Sequence, residues 1–185
     1  DSSIAKTFEQ IFRTAPRRII VACFASHIHR IQQVLDVAWR MGRKVAVNGK
    51  SMVANTRIAA ELGYLKVPAD TLVRLDELNR LPPEQGVIIT TGSQGEPLSA
   101  VARVAVGEHK QIEIQPGDMV IFSARVIPGN EQSIARTVNQ LFKRGARVIT
   151  EDIVPGVHVS GHPSQEELKL MLNLTRPQVF VPVHG

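Results

Sequence analysis

Five short apolar runs recur along the chain, and between them the hydrophobic spacing becomes helical. "RRIIVACFAS", "GVIITTG" and "DMVIFSA" are rich in β-branched residues and lack polar alternation, the mark of strands buried on both faces. "RKVAVN" and "ARVITE" are shorter runs of the same kind. After the first run, "HIHRIQQVLDVAWRMG" places Ile28, Ile31, Leu35 and Ala38 on one face at helical spacing and closes at Gly42. "SMVANTRIAAELG" reads as a second helix closed by Gly63. "EPLSAVARVAVG" reads as a third, with Pro97 near its start, and "NEQSIARTVNQLFKRG" as a fourth, closed by Gly145. The alternation predicts an α/β fold: a Rossmann-like, mostly parallel sheet with helices on both faces. The stretch from Val67 to Pro83 is irregular, with "LDELNRLP" as a short helix.

A tail follows a seam at Pro155-Gly156. "PSQEELKLMLNLTRP" predicts an amphipathic helix with Leu168, Met171 and Leu172 inward, and Ser164 and Glu167 have the spacing of a capping box. "QVFVPVHG" predicts a last strand running into His184.

In such a sheet, ligands bind beyond the carboxyl ends of the strands. Those ends carry Ser26 and His27, the loop "TTGSQGEP", the loop "SARVIPGNE" and His184. Ser26 and Asn130 read equally as helix N-caps. The loop "TTGSQGEP" can offer backbone N–H groups to a phosphate, but it lacks the lysine of a P-loop and the spacing of a dinucleotide fingerprint. In "HVSGH", Ser160 and Gly161 can present a hydroxyl and an amide to an anion, and His162 a ring proton. The other reading is a helix-entry turn, with His158 only orienting it. His184 reads as a core histidine or as a metal ligand. The "HIH" pair, His27 and His29, lacks the aspartate and third histidine of an H-x-H-x-D-H cradle, so no metal is expected there.

Composition narrows the classes. The 185 residues suit one domain with a small extension, and 43% hydrophobic content is ordinary for a globular core. No apolar run approaches the ~18 residues of a membrane span, and no charged-then-apolar leader opens the chain, so membrane and secreted settings are not expected. The single cysteine, Cys23, fits a reducing setting. The net charge of +5 favours a polyanion, with basic groups at Arg17-Arg18, Arg40/Arg43/Lys44 and Lys143/Arg144/Arg147. Only 4% aromatics argues against a base-stacking platform.

"FASHIHRIQQV", "TTGSQGEPLSAVARVA", "IPGNEQSIARTVNQLF" and above all "HVSGHPSQEELKLMLNLTRPQVFVPVHG" resemble the bacterial ribonuclease J family of metallo-β-lactamase/β-CASP nucleases, over nearly the whole chain. The resemblance implies a cytoplasmic, zinc-dependent, homo-oligomeric enzyme of RNA processing and decay. It implies 5′-to-3′ exonuclease activity favouring a 5′ monophosphate, together with endonuclease cleavage. By motif, His162 resembles a catalytic histidine near the scissile phosphate, and His184 a histidine that helps ligate one of two zinc ions. Ser160, Gly161 and His162, with Ser26 across the sheet edge, resemble the seat of the RNA 5′ phosphate; Glu96 receives no chemistry. The family's H-x-H-x-D-H cradle is absent, so Asp1 and Gly185 read as cuts in a longer chain, and the isolated piece is expected to hold no zinc and to be inactive. Residues 1–155 are expected to form the β-CASP domain, and 156–185 the segment returning to the lactamase domain. Two other classes remain at this level: a Rossmann-like module for a small nucleotide or sugar phosphate, and a purely structural domain.

Overall fold

The computed structural model describes residues 2–158 and 163–182. The five apolar runs become strands β1 (Ile19–Ala22), β2 (Lys44–Asn48), β3 (Gly86–Thr90), β4 (Met119–Phe122) and β5 (Arg147–Ile149). They form one all-parallel sheet in the order β2-β3-β1-β4-β5. Successive residues of a strand feed opposite cores. Ile19, Val21, Val87, Ile89 and Ile121 enter one cluster, and Ile20, Ala22, Ile88, Val120 and Phe122 the other. This is why the strands show no polar alternation.

Helices α1 (Ser2–Thr14), α2 (Ile28–Arg40) and α3 (Lys50–Glu61) cover the first face through Phe8 and Phe12, Ile31 and Leu35, and Met52 and Ala59. The short α4 (Leu75–Leu78), α5 (Ala100–Val106) and α6 (Glu131–Lys143) cover the second through Leu78, Val104 and Leu141. The first helix lies outside the elements expected from the sequence, although Ile4, Phe8, Ile11 and Phe12 form a helical stripe and are all buried. The third expected helix begins at Ala100, later than its motif suggested. Ser99 caps it, its hydroxyl accepting from the Ala102 amide, and Pro97 stays in the loop.

The tail departs from expectation. Helix α7 (Gln165–Thr175) forms, and both bonds of its capping box are present, Ser164 N to Glu167 Oε2 at 2.7 Å and Glu167 N to Ser164 Oγ at 3.4 Å. Yet it buries no residue: Leu168 and Met171 are exposed and Leu172 is half-buried. Residues 178–182 form no strand, and Val179, Phe180 and Val181 are exposed. Local capping suffices to write a helix, but an apolar stripe or a strand needs a partner, and none faces these residues within the described part of the chain.

The amino edge of the sheet is held by charge. Asp118 is fully buried, its Oδ2 accepting from Arg18 Nη2 at 2.7 Å and from the Gln115 amide at 3.0 Å, with Arg17 Nε 3.5 Å from Oδ1. Arg43 donates to the Phe12, Ala15 and Arg17 carbonyls, finishing α1, and Arg144 donates to the Ala105 and Val106 carbonyls, finishing α5. Much of the basic charge counted from the sequence therefore braces the fold. Asp118→Ala strands two arginines beside a buried site and is expected to lower unfolding free energy by roughly 3 kcal/mol. Glu9→Ala, which frees only the part-exposed Arg40, should cost under about 1 kcal/mol. Denaturant unfolding of the two variants measures the contrast.

Candidate functional site

All five strands point the same way, so the turns that follow them share one edge. Cys23 and Phe24 continue from β1, and Ser26 lies exposed in the turn before α2. Asn55 of α3 donates to the Ala25 carbonyl at 3.1 Å and the Ile28 amide donates to the Ser26 carbonyl at 3.0 Å, which fixes the turn. Ser26 does not cap α2. His27 is the N-cap residue, without a side-chain bond, and Ser26 opens onto a groove of about 400 Å³ with Ile28, His29, Ile58 and Tyr64. Asn130 occupies the N-cap position of α6, but its amide nitrogen turns to Gln94 Oε1 at 3.2 Å instead of capping.

The glycine-rich loop is not a phosphate cradle. Residues 92–95 are buried. Gln94 donates to the Arg125 carbonyl at 2.8 Å and accepts from the Ile127 amide at 2.9 Å, so the loop clamps the turn after β4. A Cβ on Gly95, whose φ is +70°, would stand 2.5–2.6 Å from the Ser133–Ile134 backbone, so this glycine permits close packing on α6.

Beneath the Ser26 turn lies a buried cation. Arg30 is 1% exposed, and its guanidinium stands 5.7 Å from the Phe8 ring centroid. Its Nε donates to Gln33 Oε1 at 3.0 Å, and its Nη1 to the Ser123 hydroxyl and, at 2.6 Å, to the Val157 carbonyl. The Ser123 hydroxyl donates to the same carbonyl at 2.6 Å. No carboxylate pairs with Arg30 among the described residues. Arg30 was not singled out from the sequence, although Arg30, Val34, Val37 and Met41 follow helical spacing on the inward face of α2.

Arg30 sets the electrostatics of its neighbours. Burial, then Arg30 and His158, holds His27 below the ordinary histidine value. Burial and then Arg30 do the same to His158, opposed by the Ser123 carbonyl. His158 is 9% exposed and its Nδ1 has no hydrogen-bond partner among the described residues. Burial pushes the Cys23 thiol up to about 12, although Arg30 pulls the other way.

Further along the same edge, past β3 and β2, a groove of about 920 Å³ is lined by Lys50, Arg57, Arg103 and His109, with no carboxylate in its wall. Arg57 is 3.9 Å from Glu61, both largely exposed. His109 Nδ1 accepts from the Gln111 and Ile112 amides, and its Nε2 lies 3.2 Å from Asn48 Nδ2.

Of the residues singled out as a phosphate seat, Ser26 is placed at this edge. Ser160, Gly161, His162 and His184 lie outside the described residues. No three His, Cys, Asp or Glu side chains converge on a metal site among the described residues, and His29 is exposed.

The five-stranded, all-parallel α/β sheet is consistent with a β-CASP domain, and residues 16–141 match the family model "Ribonuclease J, beta-CASP domain". The chain belongs to the ribonuclease J family. Residues 145–185 match the model "Zn-dependent metallo-hydrolase RNA specificity domain", which associates this segment with zinc-dependent enzymes. Over all 185 residues the chain is 50% identical to Ribonuclease J of Thermus thermophilus, covering 32% of that protein. It is likewise 47% identical to Ribonuclease J of Synechocystis, covering 29%, and 45% identical to that of Helicobacter pylori, covering 27%. The chain thus spans about a third of the length of these curated relatives. No described helix is long and apolar enough to cross a membrane.

Three histidines, His27, His109 and His158, are all held below their ordinary value, burial first, with Arg30 or Arg103 next. The unfolded chain therefore takes up protons before the folded one as pH falls through about 6.5. Stability is expected to be full near neutral pH and to decline below about 6.5. Thermal melts across that range should show Tm falling, and His158→Gln should flatten the slope.

Proposed function

We propose that this chain is the RNA-binding β-CASP part of a zinc-dependent ribonuclease with 5′-to-3′ exonuclease and endonuclease activity in RNA processing and decay. Residues 1–155 form that domain, and 156–185 return to a lactamase-type domain carried by the longer relatives. The observation that carries the reading is the carboxyl edge itself: exposed Ser26 in the turn before α2 and, further along, an open groove of Lys50, Arg57 and Arg103 with no carboxylate in its wall. Phosphate groups suit such a groove. Family membership supports the same reading.

In this reading Ser26, Ser160, Gly161 and His162 hold the RNA 5′ phosphate, which fixes the terminal nucleotide at a set distance from the scissile bond. His162 also stabilises charge developing on the scissile phosphate or protonates the leaving oxygen. The groove of Lys50, Arg57 and Arg103 contacts further phosphates of the strand. The described residues do not fit a metal. We place two zinc ions outside them, with His184 as one ligand, so the described part of the chain serves substrate and by itself is inactive. The intact enzyme is a cytoplasmic homo-oligomer. A Rossmann-like module for a mononucleotide is the poorer reading, because the loop that would cradle its phosphate is folded inward around Gln94.

In the full-length enzyme, His162→Ala should cut turnover about a hundredfold or more with a much smaller change in RNA affinity, measured by single-turnover kinetics and equilibrium binding. Equal losses in both would overturn its catalytic role. Replacing Arg57 and Arg103 together by glutamine should weaken RNA binding and reduce the slope of log K against log salt by about 1.4, the value for two single-strand phosphate contacts. An unchanged slope would remove the groove from the RNA path.

A further inference from the structure

A second groove, of about 740 Å³, lies beyond the ends of β4 and β5, at the opposite end of the sheet from β2. Part of its lining is apolar. Phe122 ends β4, and Ile134 and Val138 follow one helical turn apart on α6. Phe122 and Ile134 are buried and Val138 is half-buried. The same groove holds three carboxylates, Glu131 in the first turn of α6 and Glu151 and Asp152 just past β5. Glu131 Oε2 accepts from the Gly129 amide at 2.8 Å. Arg125, the one cation in the lining, forms no ion pair with any of the three among the described residues.

Ser93 also lines this groove. It is 2% exposed, and its hydroxyl has no hydrogen-bond partner among the described residues. The loop around it is fixed, because Gln94 bonds the Arg125 carbonyl and the Ile127 amide. A hydroxyl so deeply buried is seldom left without a partner, and one in the wall of a groove calls for a donor from outside the chain.

The chemistry of that ligand follows from the lining. Carboxylates repel a phosphate, so this groove does not repeat the chemistry of the one formed by Lys50, Arg57 and Arg103. A single divalent ion needs its ligands to converge, and no three His, Cys, Asp or Glu side chains do so among the described residues. Separated carboxylates beside an apolar strip suit cationic centres that are themselves separated by methylenes. Each ammonium brings three donors, enough for a carboxylate and the Ser93 hydroxyl together, while the methylenes cover Phe122, Ile134 and Val138. We propose that this groove binds a linear aliphatic polyamine, with the carboxylates of Glu151 and Asp152 and the Ser93 hydroxyl holding its ammonium groups. The proposal is independent of the reading of the chain as RNA-binding.

The test is equilibrium dialysis of labelled spermidine against the full-length protein, freed of nucleic acid, at ~0.15 M salt. One saturable site per chain is expected. Glu151→Gln with Asp152→Asn should weaken it about tenfold, and Ser93→Ala several-fold. Glu108→Gln with Glu113→Gln removes the same charge at exposed positions outside the groove and should leave the affinity unchanged. Magnesium at the concentration of spermidine, a dication without methylenes, should not displace it. No saturation up to ~1 mM spermidine overturns the site. So does a wild-type affinity in either groove variant, an equal loss in the two paired variants, or displacement by equimolar magnesium. Should Ser93→Ala not fold, Glu151→Gln with Asp152→Asn decides the matter alone.

Discussion

A sheet of parallel strands buried on both faces places a single demand on everything else in this chain. Each strand must give its side chains alternately to two cores, as Ile19 and Val21 do to one and Ile20 and Ala22 to the other. With no strand free to reverse, every crossover runs over a face and every turn after a strand opens at the same edge. Chemistry-bearing residues far apart in sequence, such as Ser26, Asn48, Ser99 and Ser123, are brought together by that constraint and by nothing local. The amino edge, relieved of ligands, is free to be fastened by charge.

The two edges use their cations in opposite ways. At the amino edge, Arg17, Arg18 and Arg43 are matched to Asp118 or to helix-end carbonyls, and they neutralise the molecule's own acceptors. At the carboxyl edge, Arg30 is buried against neutral acceptors, and Lys50 and Arg103 line an open groove without a carboxylate. A net charge of +5 therefore says less about a polyanionic partner than its placement does. Among the grooves at the carboxyl edge, that of Lys50, Arg57 and Arg103 is lined by cations without a carboxylate, whereas the one beyond β4 and β5 is lined by Glu131, Glu151 and Asp152.

The sheet was readable in the sequence because burial on both faces leaves runs such as "GVIITTG" that nothing else explains. Helices α2, α3 and α6 were readable because a stripe and a closing glycine coincide. The stripe of Ile4, Phe8, Ile11 and Phe12 carries α1 equally well, but it stands before the first strand, where the alternation of strand and helix gave no reason to seek it. Leu168 and Met171 failed for the opposite reason: periodicity reports which face is apolar, not whether a partner exists. What the sequence offers for a site is local. "HVSGH" carries its own pattern, though all but His158 of it lies outside the described residues, whereas the bond from Arg30 to Ser123 joins residues 93 apart in sequence and leaves no periodic trace. The glycines of "TTGSQGEP" misled because closeness to another helix and closeness to a phosphate demand the same missing Cβ.

Cys23 sits one residue past β1, sealed under α2 and beside the Arg30 guanidinium. With its thiol held protonated, alkylating reagents and oxidants find no nucleophile while the domain is closed. As the sole sulfhydryl among the 185 residues, it becomes an internal clock. Each labelling event records an excursion in which the buried core beside β1 opened, and the pace of labelling measures how often it does so.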